Sequence, residues 1–336
     1  MLELTAANLV AYLRAKGWLG PEPAHVESLG GGVSNAVLRV TTPARRFVVK
    51  QSRPQLRTRD AWFSDLDRVY REQEVMQLLH PLLPADTVPQ ILFVDRDNYV
   101  FAMSHAPADA TPWKEALLAG RVDLELGEHS GRILGRIHEA TARDKTVARF
   151  ADHAVFVQLR VDPFYRRVQQ RRPEVAGAVE PLVQRMLTVK EALCHGDYTP
   201  KNLLIHAHGF TLVDYETAHH GDPTMDLGLF LCHLLLKAFR HPEYRQDFQE
   251  LTRRFWHGYA AEVRFRSLAE LQLLGIAHLG VCVLARVDGT SPVEYLPEEP
   301  KRAAVRRFGR RLLLEPPRGW EDVLAVCSEE LEVLCE

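Results

Sequence analysis

The chain has 336 residues, of which 46% are hydrophobic and 26% are charged, with a formal net charge of −2. This length exceeds what one hydrophobic core usually supports, so two domains or lobes are expected. The nearly balanced charge provides no positive field for gripping nucleic acid or an anionic membrane, and both are excluded as expected partners.

The N-terminal segment predicts a helix over residues 5–17, with Leu9 and Leu13 on one face and Thr5 as a candidate N-cap. It lacks a basic start followed by an apolar core, so a signal peptide is not expected. The apolar run at residues 228–239 is too short to span a bilayer. The five cysteines form no C-x-x-C pair, which favours reduced thiols and a cytoplasmic location.

Five short strands are predicted in the first 105 residues. A glycine-rich turn and a proline-containing turn join the first three, and a turn at Arg96-Asp97 joins the last two. Between these groups, residues 62–80 have the apolar spacing of an amphipathic helix. The predicted strands are residues 25–29, 36–40, 46–50, 90–95 and 98–105.

After Pro107 the apolar residues recur at helical spacing, and only residues 194–216 contain two strand-like runs. The pattern predicts an α+β protein in two lobes. Residues 1–105 would form a small lobe with a five-stranded antiparallel sheet and one long helix, and residues 106–336 a larger, mainly helical lobe, with a hinge near 102–108. The predicted helices are residues 112–119, 124–142, 163–171, 178–188, 224–239, 243–263, 267–286 and 297–313.

A glycine-rich turn is the first candidate for ligand binding. Gly30, Gly31 and Gly32 lie between two predicted strands, where backbone amides without side chains can approach a phosphate closely. Ser34 and Asn35 add polar side chains to the same turn. Glycine-rich hairpin turns are also common where no ligand binds, so a purely structural turn remains an alternative.

A lysine and a carboxylate follow this turn. Lys50 closes the apolar strand one hairpin later, from where it could reach phosphates covered by the turn. A flexible ammonium needs an orienting carboxylate, and Glu72 and Glu74 lie on the next helix. Only one of them can face the sheet, and the apolar neighbours of Glu72 favour that residue. The alternative is that Lys50 extends to water and both glutamates solvate the helix.

Residues 194–216 carry Asp197, then Asn202 five positions later, then Asp214 after two short apolar runs. If those runs pair as a hairpin, Asn202 and Asp214 come to the same end. Amide and carboxylate oxygens are hard ligands that suit Mg²⁺ carrying nucleotide phosphates. Asp197 could accept the proton of an attacking hydroxyl. The same spacing, with base, metal amide and later metal carboxylate, occurs in the phosphoryl-transfer site of protein kinases.

The chain resembles the aminoglycoside phosphotransferase/choline kinase family, which shares the protein-kinase fold, with some similarity to methylthioribose kinases. The resemblance rests on LGGGVSNAVLRV, FVVK, YREQEVMQLL, LCHGDYTPKNLLI and LVDYETAHHGDPTMDLGLF, in order over about residues 29–230. It implies a bilobal protein-kinase-like fold and transfer of the γ-phosphoryl group of ATP, with Mg²⁺, to a hydroxyl of a small molecule. The acceptor could be a sugar such as methylthioribose, or alternatively an aminoglycoside, choline, homoserine or a fructosamine.

The resemblance also implies roles for single residues. Lys50 would hold the ATP phosphates, Glu72 would orient Lys50, and Asp197 would be the catalytic base. Asn202 and Asp214 would bind Mg²⁺. The other ATP contacts would be Gly30, Gly31, Gly32, Ser34, Met103 and His105, the last two near the adenine.

Three further residues surround the implied site. His195 would brace the loop that carries Asp197, and Asp226 would cap the next helix and brace the same loop. Glu216 stands where protein kinases have the glycine of their D-F-G motif, and it could touch the metal or the substrate. The chain has no A-P-E segment and no room for an activation loop, which argues against a protein kinase.

The acceptor is the least specified part of the prediction. Arg286, Asp288 and Glu294 lie in a polar interruption after a long apolar helix and could face the substrate, although a plain inter-helix loop fits equally. The basic run at residues 301–311 does not suit a cationic aminoglycoside. A nonenzymatic nucleotide-binding pseudokinase is the alternative from another class, although the expected Lys, Asn and Asp are all present. A monomer or homodimer is expected.

Overall fold

A computed structural model of the chain describes residues 2–29, 35–53 and 66–335. The predicted glycine turn at residues 30–32 and Ser34 lie outside the described residues. The described chain folds into two compact units, both of which contain residues from two separate stretches of sequence. The prediction placed every residue after 105 in one C-terminal lobe, whereas a later segment groups by its contacts with the N-terminal residues.

Unit 1 comprises Met1–Ala110 and Ile205–Thr217 and is built on a five-stranded antiparallel sheet. All five predicted strands are present, in the order β1-β2-β3-β5-β4. The central strand β3 is buried from its second residue to its last, as its apolar sequence requires. The strands are β1 His25–Ser28, β2 Asn35–Thr41, β3 Arg46–Ser52, β4 Ile91–Asp95 and β5 Val100–Ser104.

Two helices complete unit 1. Helix α1, Leu9–Ala15, begins later than predicted, and its N-cap residue is Asn8 and not Thr5. The side chain of Asn8 accepts the backbone N–H of Thr5 at 2.8 Å. Helix α2, Arg68–Leu79, confirms the helix predicted from the apolar spacing of this region. It packs on β3 and β5, so that its buried face meets the centre of the sheet. A residue on that face can therefore reach the side chains of β3.

Unit 2 comprises Thr111–Leu204 and Ala218–Glu336 and is mainly helical, as predicted. The prediction missed its last helix, and it missed a π-helical segment, Val157–Arg166, that contains Pro163. Proline has no N–H to donate, so an α-helical hydrogen bond is lost there and the turn widens. The helices are α3 Trp113–Leu118, α4 Leu124–Thr141, α5 Ala154–Phe156, α6 Arg167–Arg171, α7 Ala176–Thr188, α8 Thr224–Arg240, α9 Arg245–Glu262, α10 Leu268–Asp288, α11 Glu299–Leu314 and α12 Trp320–Cys335.

Helix α10 lies in the core of unit 2, packed against α8 and α11. Within the described ranges it is the one helix that is long and apolar enough to cross a membrane, but 61% of its apolar window is buried inside the protein. Burial by neighbouring helices explains its composition, since a helix that is apolar on all sides belongs in a protein core or a membrane.

Short strands lead into the segments that carry the candidate site. Strand β6, Thr111–Pro112, opens unit 2, and β7, Ala192–Cys194, pairs with β10, His219–Gly221. The chain passes from unit 2 to unit 1 within β8, Leu203–His206, which neighbours β9, Gly209–Leu212, in one sheet. This confirms the predicted hairpin. The candidate residue Asp197 follows β7, and the candidate residue Asp214 follows β9.

Helices α4 and α9 approach closely because glycines lie at their contact. A Cβ atom on Gly131 would lie 2.0 Å from the carbonyl oxygen of Phe255, and one on Gly258 would lie 2.1 Å from a carbonyl oxygen of α4. No side chain fits at either position. The contact brings His138 on α4 against Tyr259 on α9, with Nδ1 of the imidazole 3.0 Å from the phenol oxygen.

We expect Gly131→Ala to lower the free energy of unfolding by about 2 kcal/mol or more, because overpacking against a rigid backbone forces the helices apart. The matched control is Gly177→Ala on α7, where an added Cβ would meet nothing within 4 Å. That change should be neutral or stabilise by up to about 1 kcal/mol, since alanine favours the helix. Urea denaturation measures both. Equal stability of the two variants would contradict the close α4–α9 contact.

Candidate active site

The ammonium of Lys50 lies buried between two carboxylates of unit 1. Lys50 lies on β3, and its Nζ is 2.8 Å from Oε1 and 2.7 Å from Oε2 of Glu72 on α2. The same Nζ is 2.9 Å from Oδ1 of Asp214, which lies two residues past β9. The side chains of Lys50 and Glu72 are 6% and 1% exposed. Glu74 instead pairs with Arg96 at the surface. Of the two candidate glutamates, Glu72 is thus the one that faces the sheet.

The charges around Lys50 keep it protonated. Burial by itself lowers the pKa of Lys50, but the carboxylates of Asp214, Glu72 and Glu216 hold it above its usual value. Burial raises the pKa of Glu72, and the neighbouring ammonium opposes that rise. Because Lys50 is fixed by partners on two other segments, it is a permanent, pre-positioned positive charge.

Glu216 contacts polar side chains of unit 1. Its Oε2 accepts from Nδ2 of Asn35 at 2.8 Å and lies 3.3 Å from Nε of Arg68. Arg68 is fully buried in spite of its charge. The sequence analysis missed Arg68, although it lies one helical turn before Glu72 and therefore shares the buried face of α2. That spacing was the available signal.

The backbone at Asp214 is in the left-handed region, with a φ of +71°. Few residues other than glycine adopt this conformation, and aspartate is among the more tolerant. Strand β9 ends at Leu212, and the left-handed turn at Asp214 directs its carboxylate to Lys50. Strained backbone of this kind is typical of functional sites.

A buried carboxylate fixes the loop after β7 in unit 2. Asp226, at the start of α8, accepts the backbone N–H of His195 at 2.7 Å and of Gly196 at 2.8 Å. Its Oδ2 also lies 3.4 Å from Nε2 of His138. Although burial raises it, the pKa of Asp226 is held below its usual value, first by the hydrogen bond to His138. The brace on this loop, predicted for Asp226, is present in the structure.

The loop presents Asp197 with its carboxylate held on several sides. Gly196 turns the chain with a φ of +73°, and Oδ1 of Asp197 then lies 2.7 Å from Nη2 of Arg160. Nδ2 of Asn202 donates to Oδ2 at 2.9 Å, and Nζ of Lys201 lies 3.6 Å from the same oxygen. Arg160 also donates to the carbonyl of Gly196 at 2.7 Å. No sequence pattern indicated Arg160, which lies in the distant π-helical segment.

The side-chain oxygens of Asn202 and Asp214 are hard metal ligands of the kind that suits magnesium. Because Nδ2 of Asn202 donates to both the carbonyl and the carboxylate of Asp197, its Oδ1 is left as the acceptor. Asn202 belongs to unit 2 and Asp214 to unit 1, so their joint role as ligands stays a prediction. Over the described ranges, no three His, Cys, Asp or Glu side chains are arranged as a metal site.

The two positions predicted near adenine lie at the end of β5. Met103 is the fourth residue of that strand and pairs with Val48 of β3. His105 follows the strand directly and is half-buried. Nothing in unit 1 assigns them a ligand, and their contact with adenine stays a prediction.

Two of the residues predicted at the substrate, Asp288 and Arg286, differ in their surroundings. Asp288, at the end of α10, is 2.6 Å from Nη2 of Arg172 and 3.0 Å from Nη2 of Arg306, so its charge is neutralised within the protein. This arrangement favours a structural role. Arg286 donates to the carbonyl of Ser291 at 2.7 Å and forms no ion pair among the described residues.

Comparisons with known proteins agree with the family resemblance predicted from the sequence. The sequence profile of the phosphotransferase enzyme family matches residues 25–271. Methylthioribose kinase 2 of Oryza sativa subsp. japonica is 25% identical over 271 residues, 70% of this chain and 63% of the relative, so this chain spans less than two thirds of its length. Methylthioribose kinase of Exiguobacterium sibiricum is 24% identical over 300 residues, 79% of this chain and 75% of the relative.

A solved structure supports the fold. The crystal structure of choline kinase from Cryptosporidium parvum Iowa II aligns with a TM-score of 0.55 at 12% identity, covering 97% of this chain and 99% of that one. At this identity the likeness concerns the fold alone. It confirms the predicted α+β, protein-kinase-like fold.

We expect Asp226→Asn to lower stability by about 2–4 kcal/mol at pH 7, because an amide that replaces the carboxylate turns a donor towards a buried N–H. The native pKa of Asp226 lies below the usual 3.8, so its contribution is full above that value and is lost as the pH falls below it. The gap between variant and wild type should therefore narrow from pH 6 to pH 3.

Urea denaturation across this pH range measures the gap. Asp162→Asn, which changes a half-exposed surface carboxylate, is the control and should show little difference at any pH. A gap for Asp226→Asn that stays constant with pH would contradict the assigned role of its charge.

Proposed function

The chain belongs to the phosphotransferase enzyme family, and on that premise we propose that it transfers the γ-phosphoryl group of ATP to a hydroxyl of a small molecule. The observation that carries the proposal is the buried ion cluster of Lys50 with Glu72 and Asp214. The ammonium of Lys50 is aligned by two carboxylates on separate segments. Such pre-organisation suits the binding of a phosphate chain.

In the proposed reaction, Lys50 binds the phosphate oxygens of ATP, and Glu72 prevents its ammonium from swinging away. Asp197 orients the acceptor hydroxyl and takes its proton as the new O–P bond forms and the bond to the ADP oxygen breaks. When bound, magnesium supplies positive charge to the β- and γ-phosphate oxygens, and Asn202 and Asp214 are its proposed ligands. Positioning and electrostatics, without a covalent intermediate, account for the rate.

The contacts of Asp197 support this role. Arg160 and Asn202 fix the carboxylate plane, and its side chain keeps 15% of its surface exposed. A base whose carboxylate is held in place and still partly exposed can meet a hydroxyl in a defined direction. Met103, His105 and the glycine turn remain the proposed ATP contacts, the last of these outside the described residues.

Methylthioribose is the first acceptor to test, because the names of the two curated relatives specify it. Those relatives are only 24–25% identical, so choline, homoserine, fructosamines and aminoglycosides belong in the same screen. We also propose a cytoplasmic location, with a monomer or homodimer as the working form.

Asp197→Asn should lower turnover by about 10³-fold or more, because the amide cannot accept the hydroxyl proton. Stabilisation of the protein by Mg-ATP should remain, since Asp197 does not bind the nucleotide. A coupled ADP-release assay and thermal shift measure the two properties. Asp162→Asn is the control for loss of one negative charge. Full turnover in Asp197→Asn would overturn the assignment of the base.

Lys50→Met should abolish most of the Mg-ATP-dependent rise in melting temperature, because the aligned ammonium is lost from unit 1. Arg46→Met, at the exposed start of the same strand, removes the same charge without touching Glu72 or Asp214. Its nucleotide response should equal that of the wild type. A wild-type protein that Mg-ATP does not stabilise would contradict the proposed ATP site. Stabilisation by Mg-ATP without turnover of any acceptor would favour the nucleotide-binding pseudokinase.

A further inference from the structure

Lys237 is a buried lysine that has no carboxylate partner among the described residues. It lies on α8, its residue is 1% exposed, and its Nζ donates to the carbonyl of His233 one turn earlier, at 2.7 Å. The same Nζ is 5.5 Å from the ring centre of Tyr295. No ion pair among the described residues includes Lys237. An ammonium buried without a counter-ion is costly, so its presence calls for a reason other than stability.

Two further cations lie around the same tyrosine. Nζ of Lys114 is 5.8 Å from the ring centre of Tyr295, and this lysine pairs with Glu294 at the surface. Arg286, near the end of α10, is half-buried and has no carboxylate partner within the described chain. Burial raises the pKa of Tyr295, and the nearby positive charge of Arg286 opposes that rise. Lys114, Lys237 and Arg286 around Tyr295 form the cation cluster. Its three positive side chains face one carboxylate.

The cations of the cluster repel one another. Burial first, and then the positive charges of Lys114 and Arg286, lower the pKa of Lys237 to about 7. Burial also lowers the pKa of His233 well below its usual value, with Arg286 and Lys237 as the next causes. These effects place the positive charges within reach of each other in a poorly solvated region. A negative charge brought in from outside would relieve the repulsion.

Two donors of the cluster lack acceptors. Nε of Arg286 and the hydroxyl of Tyr295 are buried, and neither has a hydrogen-bond partner in the described parts of the chain. Buried polar groups are normally paired, so each exception needs an explanation. A guanidinium N–H, a phenol O–H and an ammonium together match the oxygens of a carboxylate or a phosphate.

An aromatic ring connects the cation cluster to the proposed base. The guanidinium carbons of Arg286 and Arg160 each lie 5.6 Å from the ring centre of Phe164. Arg160 in turn holds Oδ1 of Asp197 at 2.7 Å. Arg286 is therefore one ring away from the side chain that binds the base. This series of contacts connects the cation cluster to the carboxylate of Asp197.

We propose that the cation cluster binds an acidic group, a carboxylate or a phosphate ester, on the acceptor whose hydroxyl is phosphorylated. The inference rests on the proposed function and narrows its substrate class to hydroxy acids. It separates this chain from a kinase of neutral sugars such as methylthioribose, or of cationic alcohols, which offer no negative charge to three cations.

The turnover test uses matched acceptors that differ by the acidic group. Ribonate is compared with ribose, glycerate with glycerol, and ribose 5-phosphate with ribose, alongside methylthioribose. The acidic member of a pair should have a kcat/KM about 30-fold higher or more, as expected for a desolvated charge pair. The carboxylate and phosphate pairs distinguish the two acid chemistries. A preference for methylthioribose or another neutral acceptor would overturn the inference.

The binding test does not require turnover, so it separates failure of the inference from failure of the proposed function. Thermal shift and calorimetry without ATP measure binding of ribonate, glycerate and inorganic phosphate. Lys237→Met and Arg286→Met should weaken binding of the acid that the wild type binds by about 30-fold. Arg254→Met removes an exposed charge from α9 in the same unit and should bind as the wild type does.

The stability of Lys237→Met provides a readout that a structural lysine would not give. If the cluster is an anion-binding site, removal of the Lys237 charge should raise the melting temperature of the protein without ligand. The same change should weaken acid binding. Unchanged acid binding in both Lys237→Met and Arg286→Met, or no binding of any acid by the wild type, would overturn the proposal. Acid binding without turnover would keep the cluster and reject the kinase.

Discussion

The burial of the Lys50 ammonium is the constraint on which the architecture of unit 1 depends. A charge in the middle of a sheet persists only with opposite charges close by. One comes from Glu72 on α2, which fixes the face that this helix turns to the sheet, and the other from Asp214, more than 160 positions later in the chain. This need explains why Ile205–Thr217 groups with the N-terminal residues and not with its neighbours in sequence.

Buried charges in this protein fall into two kinds. Lys50 and Asp226 are surrounded by partners, and in both cases the partners hold a segment that carries a candidate functional group in place. Lys237 and Arg286 have no charged partner within the described chain, although they are buried or half-buried. Charges of the first kind are paired within the folded chain. The second kind is explained by a ligand that the chain alone does not supply.

The sequence predicted what depends on local pattern and little of what depends on distant contacts. Strand alternation and helical spacing identified the elements of both units, and the spacing of Asp197, Asn202 and Asp214 identified the candidate site. Arg160 was not predicted because an isolated arginine has no local signature. Arg68 shares the buried face of α2 with Glu72, but only the folded chain shows which carboxylate each arginine reaches. The π-helical segment escaped for a similar reason, since one proline does not specify how a helix adapts to it.

The return of the chain to unit 1 has a consequence for the order in which the protein can assemble. A ribosome releases the first 110 residues well before Asp214, so for that interval the sheet contains Lys50 and Glu72 without their third member. Domains usually complete in N- to C-terminal order during synthesis. Here the N-terminal unit stays unfinished until 217 residues have emerged, and a fragment that ends at residue 110 would carry this incomplete ion cluster permanently.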